Sequence, residues 1–135
     1  MKQTFDTDTI LFQKLKASAI VSEITGGIYK RQRPLNSRNE DIVVNTIILS
    51  QDYHPQIGTS NINIHVPDLS VNVAGVSQKM PNDARMKELS QMVLDLIRGE
   101  IVPGLLMSIE MQTVIKDSET DQHYVNIRVK WNIHN

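Results

Sequence analysis

The sequence predicts an α+β domain: an antiparallel-rich sheet of about four or five strands with two helices packed on one face, in the order α-β-β-α-β-β. Two segments repeat apolar residues at the spacing of an amphipathic helix, and several others alternate apolar and polar residues as half-buried strands do. A helix, two or three strands, a second helix and two final strands pack most simply in this way. The length of 135 residues is that of one domain, so we expect residues 1–135 to form a single domain.

The first half of the chain is predicted to hold one helix and two or three strands. Apolar residues recur at helical spacing over roughly 7 to 17, after an Asp-Thr-Asp sequence that can cap a helix. Residues 28–29 are predicted to begin a short strand. Residues 42–49 (IVVNTIIL) are apolar at both parities, which favours a central strand covered on both faces. Within residues 62–66 (INIHV), apolar and polar residues alternate as in a half-buried strand.

The second half is predicted to hold the longer helix and a terminal hairpin. Residues 67–81 lack a firm period and are predicted to connect the preceding strand to this helix. The helix starts near Asp83 and ends at Gly99, and Val93 and Leu96 are expected to face the sheet at its centre. Two terminal strands then present matching apolar faces, formed by Leu105, Met107, Ile109, Met111, Thr113 and Ile115 and by Val125, Ile127, Val129, Trp131 and Ile133.

Composition excludes several classes of function. The chain has no cysteine, which removes disulfides, thiolate zinc sites and thiol nucleophiles. Its 14 Lys and Arg against 15 Asp and Glu give a net charge of −1, so no overall field attracts nucleic acid or an anionic membrane. An aromatic content of 4% argues against a base-stacking platform. Because no apolar stretch is long enough for a signal core or a membrane span, we expect a soluble, non-exported chain with no membrane partner.

The four histidines are the obvious candidates for chemistry. None lies at helical ligand spacing from another, so a metal site is disfavoured, and we expect no metal and no cofactor. A catalytic hypothesis pairs His65 with Asp68, or His54 with Asp52, as a general base and the group that orients it. Solvated histidines are the favoured alternative, because His65 lies on the polar parity of its strand and His54 lies in a turn. We therefore predict no catalytic residues.

The densest charge lies in a polar arm over about 30 to 41, which we expect to protrude from the domain. Four cations fall within nine residues there: Lys30, Arg31, Arg33 and Arg38. One interpretation is that the arm binds phosphates or an acidic partner surface, and the other is that it is a solvated loop. We expect the four cations to act in assembly, so that replacing Arg31 and Arg33 by Ala leaves the thermal midpoint nearly unchanged.

The segments TGGIYKRQRP and EDIVVNTI resemble the early part of small bacteriophage tail-completion, or tail-terminator-like, proteins. In that family an N-terminal helix leads to a Gly-apolar-Tyr strand start, a polar arm with a proline, and an apolar strand. Gly27, Ile28, Tyr29, Pro34 and residues 42–44 match these features. The order of elements fits over nearly the whole chain, with SNINIHVPD as the next strand, DARMKELSQMVLDLI as the long helix and a terminal hairpin. Where many relatives carry a Pro-Tyr pair before the main strand, this chain has Glu-Asp.

The resemblance implies a virion morphogenesis protein without an active site. Such a protein is made in the bacterial host cytoplasm and assembles as a homo-oligomeric ring, a hexamer by the same resemblance, at the end of the tail tube. Its implied partners are the tail tube and the neck or connector proteins, with non-specific passage of DNA and a location in the virion tail or neck. Two other classes stay open: an enzyme using His65 and Asp68, and a small nucleic-acid-binding module using the basic arm at 30–38.

Overall fold

The computed structural model describes residues 1–99, 101–117 and 119–135, which form three helices and seven strands. In chain order these are α1 (Thr4–Lys16), α2 (Ile20–Glu23), β1 (Ile28–Lys30), β2 (Asp41–Leu49), β3 (Gln56–Pro67), β4 (Leu69–Val73), β5 (Val76–Met80), α3 (Asp83–Gly99), β6 (Leu105–Asp117) and β7 (Gln122–Ile133). The predicted α+β class is confirmed. The predicted order of elements is wrong, because the short helix α2 and the strands β4 and β5 add to the expected set.

Five strands form one sheet in the order β1-β2-β3-β7-β6, and β4 and β5 form a separate two-stranded sheet. β1 pairs with β2 in parallel, whereas the other neighbours in the large sheet pair antiparallel. The sheet is therefore mostly antiparallel, with one parallel pair at its edge. This pair arises because the arm after β1 returns the chain to the end of the sheet where β1 begins, before β2 starts.

Helix α1 begins at Thr4, before the predicted start, because Gln3 and not the Asp-Thr-Asp sequence lies at its N-cap. The backbone N–H of Gln3 donates to Asp6 Oδ2 at 2.7 Å. Asp8, predicted to be a candidate cap, is buried, and its Oδ1 accepts a hydrogen bond from the Thr46 N–H at 2.6 Å. A polar residue of the expected cap therefore joins α1 to β2.

The hydrophobic core lies between the helices and one face of the large sheet. α1 packs against β1 and β2, and α3 packs against β3, β7 and β6. Trp131 is fully buried, and its indole N–H donates to Ser60 Oγ at 2.7 Å, so the polar end of the ring is also satisfied. Along β3 and β7 the buried apolar residues alternate as predicted, and β2 adds two more to the core: Ile62, Ile64, Val125, Ile127, Val129 and Ile133, with Ile42 and Val44 from β2.

Strand β2 is internal, but β3 and not β2 lies at the centre of the sheet. The first four residues of β2, 41–44, are all buried, because the helices cover one face and the arm covers the other. Farther along, Ile47 and Ile48 are exposed next to a register shift between Thr46 and Ile48. The prediction that this strand is covered on both faces is therefore confirmed only for its first half.

A bulge in β6 changes which face its residues occupy. The register with β7 shifts between Ile109 and Met111, so that Met111 pairs with Arg128 and Val114 pairs with Val125. We call the face of the sheet opposite the helices the open face; beyond the bulge it carries Met111, Thr113 and Ile115. The predicted apolar parity of β6 is wrong beyond Ile109, because one extra residue reverses the alternation.

Helix α3 has the predicted bounds and buries Leu89, Val93 and Ile97 on one stripe. The prediction is confirmed for Val93 and wrong for Leu96, which is only partly buried. Leu96 lies at the border of the buried stripe, where it lines a groove between α3 and α1. The centre of the contact is thus Val93, with Leu89 and Ile97 about one turn away on either side.

Residues 67–81, predicted to be an irregular connection, contain the β4–β5 hairpin. Its register pairs Leu69 with Met80 and Val73 with Val76. The two turn residues, Ala74 and Gly75, both have positive φ, 52° and 82°. Two consecutive left-handed residues are the signature of the type I′ turn, which closes two-residue hairpins. Alanine at the first position, where asparagine or aspartate is usual, obscures this signal in the sequence.

Candidate interaction surfaces

Arg33 holds the arm, residues 31–40, against the open face of the sheet. Its guanidinium lies 3.3 Å from Asp41 Oδ2 and 3.7 Å from Asp117 Oδ2, and it donates to Gln122 Oε1 at 2.8 Å. The side chain of Arg33 is 13% exposed and that of Asp41 is 1% exposed. Arg33 is therefore a largely buried ion-pair partner, and the arm lies on the sheet at this position and does not protrude there.

Hydrogen bonds to two strands complete this attachment. Ser37 Oγ donates to Asp41 Oδ2, and Gln122 Nε2 donates to the Ser37 carbonyl at 2.8 Å. Asp41 Oδ1 also accepts from the Gly27 N–H at 3.0 Å, so one buried carboxylate binds the arm and the chain just before β1. We call Arg33, Ser37, Asp41 and Gln122 the arm latch. Its members are drawn from the arm, β2 and β7.

Lys30 and Arg31 lie at the β1 edge of the sheet, beside α1. Lys30 Nζ is 5.2 Å from the centroid of the Phe12 ring, and Lys16 Nζ is 5.6 Å from the same centroid. Arg31 Cζ is 5.0 Å from the centroid of the Phe5 ring. We call Lys16, Lys30 and Arg31 the cationic edge. Within the described residues none of these three forms an ion pair, so their charge is available to a partner.

Arg38 lies in the second half of the arm and is exposed. It borders a shallow cleft whose other lining residues are Lys116, Glu119, Thr120 and Asp121. The four cations predicted to form one interaction site therefore have three different environments. Arg33 belongs to the arm latch, Lys30 and Arg31 to the cationic edge, and Arg38 to a cleft that already contains acidic side chains.

A second cleft, of about 350 Å³, lies between the arm and the sheet, and His65 is on its floor. Burial, reinforced by the nearby positive charge of Arg33, lowers the pKa of His65 to about 4, so the ring is neutral at neutral pH. The ring centroid lies 5.0 Å from that of Tyr124. Asn63 and Asp117 also line this cleft. Because both Arg33 and Asp117 line the cleft, its charge favours neither anionic nor cationic ligands.

The proposed catalytic pairs do not form. Asp68 Oδ1 lies 2.6 Å from Nδ1 of His123, not of His65, so the hypothesis of a His65–Asp68 pair is wrong. The Asp68–His123 pair joins the end of β3 to the start of β7 and was not predicted. His54 and Asp52 are both exposed between β2 and β3. Among residues 1–99, 101–117 and 119–135, no group of three or more His, Asp or Glu side chains is placed to hold a metal ion.

Arg85, near the start of α3, binds three glutamates. Its Nε and Nη2 donate to the two carboxylate oxygens of Glu40 at 2.7 and 2.8 Å. Its Nη1 donates to Glu23 at 2.9 Å and to Glu88 at 3.0 Å. These contacts raise the pKa of Arg85, and its guanidinium holds the pKa of Glu23 below the ordinary value. Glu88 follows Arg85 by three residues on the same helix, whereas Glu23 and Glu40 come from α2 and the end of the arm, so no local sequence pattern could reveal those two partners.

Beyond the arm, the open face has a polar middle and an apolar end. Asn126 Nδ2 donates to Asn63 Oδ1 at 2.7 Å and to Asn61 Oδ1 at 3.1 Å. At the end far from the arm, exposed apolar side chains lie on three strands: Ile48, Ile57 and Leu106. In the part of the chain that the structure describes, no helix is long and apolar enough to cross a bilayer.

Comparison with known proteins identifies a similar fold. No protein-family model matches the chain, and no curated protein matches it. Among solved structures, it is similar to a chain in the virion of a native gene transfer agent (GTA) particle. The TM-score is 0.52 at 12% sequence identity, and the alignment covers 95% of this chain and 94% of that chain. At this identity the similarity concerns the fold, which the two chains share over almost their entire length.

Proposed function

We propose that the protein is a structural component of a phage-like virion, without catalytic activity. In this proposal it forms a homo-oligomeric ring at the tail end or at the head–tail junction and completes the tail. The observation that carries the proposal is the fold shared with a chain of a gene transfer agent virion over nearly the full length of both chains. The alignment covers 95% of this chain and 94% of that chain, so the similarity extends well beyond one common motif.

The surfaces of the chain support a role in assembly. The cationic edge leaves three positive charges without an ion-pair partner in the described residues. Exposed apolar side chains lie at one end of the open face and on both strands of the β4–β5 hairpin. Such groups are typical of surfaces that other protein chains cover. Tail tube and neck proteins are the partners that a tail-completion role requires.

Molar mass in solution tests the proposal. We expect light scattering to give a mass of several copies at micromolar concentration, or a monomer that assembles when cognate tail tubes are added. As a control, the same protein is mixed with tail tubes whose ends already carry their own completion protein. These ends should bind no more of the added protein. A chain that stays monomeric and leaves free tube ends bare would contradict the proposal.

A second candidate function is binding of nucleic acid, which the cationic edge favours. Three cations beside two aromatic rings could neutralise phosphates, although net charge gives no general attraction. This function predicts an affinity of the monomer for duplex DNA that falls steeply with salt. The double variant Lys30→Ala/Arg31→Ala should then lose most of that affinity, while Lys79→Ala, on the hairpin, should retain it. Equal binding by both variants would exclude the cationic edge as the DNA site.

A further inference from the structure

The β4–β5 hairpin has one apolar and one polar face. Because residues paired across the two strands share a face, Leu69 and Met80, Val71 and Gln78, and Val73 and Val76 lie on the same side. The opposite side carries Ser70, Asn72, Ser77 and Lys79, with Lys79 Nζ donating to Ser70 Oγ at 2.7 Å. The hairpin is therefore patterned like a strand pair that covers a hydrophobic surface.

Within the residues that the structure describes, most of that apolar face is exposed to solvent. Apart from Val71, every residue of the two strands is exposed, and Val76 is 62% exposed. Neither strand joins the large sheet. An isolated two-stranded hairpin is at best marginally stable in water, and an exposed apolar face adds to that deficit. A surface with this pattern is stabilised when a partner removes it from water.

A groove with apolar residues on both walls lies on the helix layer, between α3 and the second half of β6. Its apolar lining is Met86 and Leu94 from the helix and Val114 and Val125 from the sheet, and the polar side chains of Ser90, Gln91 and Gln112 also line it. The bulge in β6 creates it, since it turns Val114 toward the helix layer at a position that α3 does not cover. Val114 is 52% exposed as a result. β6 is also an edge strand, so the groove is open on its outer side.

We propose that the apolar face of the β4–β5 hairpin docks into the α3–β6 groove of a second copy of this chain. The inference rests on the proposed ring and names the contact that joins neighbouring copies. The only formal charge on β4 and β5 is Lys79, and the rim of the groove carries Asp83 and Lys87. Lys79 lies on the polar face, which points away from the groove. The docking face therefore carries no formal charge, and it meets one acidic and one basic side chain at the rim without an accumulation of like charge.

The size of the contact favours a closed ring over a dimer. Covering the hairpin's apolar side chains removes on the order of 400 Å² from water, about half of the ~800 Å² that each partner contributes to a standard interface. The hairpin face and the groove are different surfaces of the chain, so the contact is head-to-tail. In a closed ring each copy makes this contact twice, once with its hairpin and once with its groove. One contact of about 800 Å² in total is smaller than a stable interface, so a dimer held by it alone is weak, whereas ring closure holds each copy by two contacts.

Substitutions on the two faces of the hairpin test the proposal. Val76→Asp places a charge on the apolar face of the hairpin. Its matched control, Ser77→Asp, changes the next residue and places the same charge on the polar face. Both positions are exposed in the single chain, so both variants should keep the urea midpoint of the parent. We expect Val76→Asp to raise the concentration needed for half-assembly about tenfold or more, and Ser77→Asp to change it little.

Disulfide trapping identifies the receiving surface, and the absence of native cysteine makes it specific. Oxidised Val76→Cys/Val114→Cys should form a ladder of linked chains, whereas the control Asn72→Cys/Val114→Cys should not. If the parent forms rings but the cysteine pair gives no ladder, the docking contact is overturned and the proposed ring is left intact. The same holds if the parent forms rings but Val76→Asp and Ser77→Asp change the concentration needed for half-assembly equally. A disulfide within one chain would also overturn the docking contact. A parent protein that never assembles would overturn both proposals.

Discussion

At the scale of single residues, Arg33 determines how the arm lies. It neutralises Asp41, a carboxylate with 1% side-chain exposure, and it binds the side chain of Gln122 on a distant strand. A buried carboxylate that loses its cation is costly, because neither water nor another charge replaces it. The cation is therefore part of the fold, which the density of charge along the arm does not reveal.

We predict that Arg33→Ala lowers the free energy of unfolding by about 2–4 kcal/mol, because it leaves Asp41 buried and unpaired. Urea unfolding at neutral pH measures this loss. Arg31→Ala is the matched control, since Arg31 is exposed and only lies over the Phe5 ring, and it should cost no more than about 1 kcal/mol. Equal losses in the two variants would contradict the arm latch.

The buried ion pair of Arg33 with Asp41 leads us to expect the opposite of the sequence-based prediction: the thermal midpoint of Arg31→Ala/Arg33→Ala should fall. The sequence-based prediction treats both residues as surface cations, whose ion pairs contribute little. The sequence shows that the arm is charged, but Arg33 and Gln122 are 89 residues apart, so their contact depends on the strand order. Arg85 and its glutamate partners were missed for the same reason.

We also predict a pH dependence from His65. Its pKa is about 4 in the folded chain and near 6.5 when unfolded, so the unfolded chain binds more protons between these values. The stabilisation is fully present above pH 6.5 and is lost as the pH falls toward 4. After a discount for partial exposure, we expect a loss of about 1 kcal/mol between pH 7.5 and pH 5.

His65→Gln removes this titration and keeps a polar side chain on the floor of the cleft. The urea-derived free energy of unfolding of the variant should fall less than that of the parent over the same pH interval. His54→Gln is the control, because His54 is exposed and should leave the parent's pH dependence unchanged. Parallel curves for the parent and His65→Gln would show that His65 is not the group responsible.

At the scale of elements, α3 provides a comparison between two leucines. Leu89 is fully buried against the sheet, whereas Leu96 is partly buried beside α1. We predict that Leu89→Ala costs about 2–5 kcal/mol and Leu96→Ala about 1 kcal/mol, because the cavity left at Leu96 opens to solvent. Urea midpoints of the two variants measure the difference. A larger loss for Leu96→Ala would mean that the helix face is assigned incorrectly.

The elements also show which structural features a sequence pattern can predict. The period of apolar residues predicts α1, α3, β2, β3 and the terminal hairpin, because each buries one stripe or face against the same core. It fails at the β6 bulge, where a single extra residue reverses the alternation without any change in composition. It also fails at β4 and β5, where residues 69–73 do alternate but Ala74 stands where a hairpin turn usually has asparagine or aspartate.

At the scale of the whole molecule, the two edges of the sheet are unlike. One edge is the short strand β1 with the cationic edge beside it, and the other is the long strand β6 with an apolar groove beside it. A contact that joins two different surfaces of a chain is head-to-tail, and such contacts form closed rings when the rotation between neighbours is suitable. The proposed ring uses the groove beside β6 in this way.

Electron microscopy of cognate tail tubes incubated with the purified protein shows whether this chain completes tails as a ring. We expect closed rings with one subunit number, bound at one end of each tube and absent when Val76→Asp replaces the parent at the same concentration. The control Ser77→Asp should cap tubes like the parent. Bare tube ends and single chains at saturating concentration of the parent protein would show that it is not a tail-completion ring.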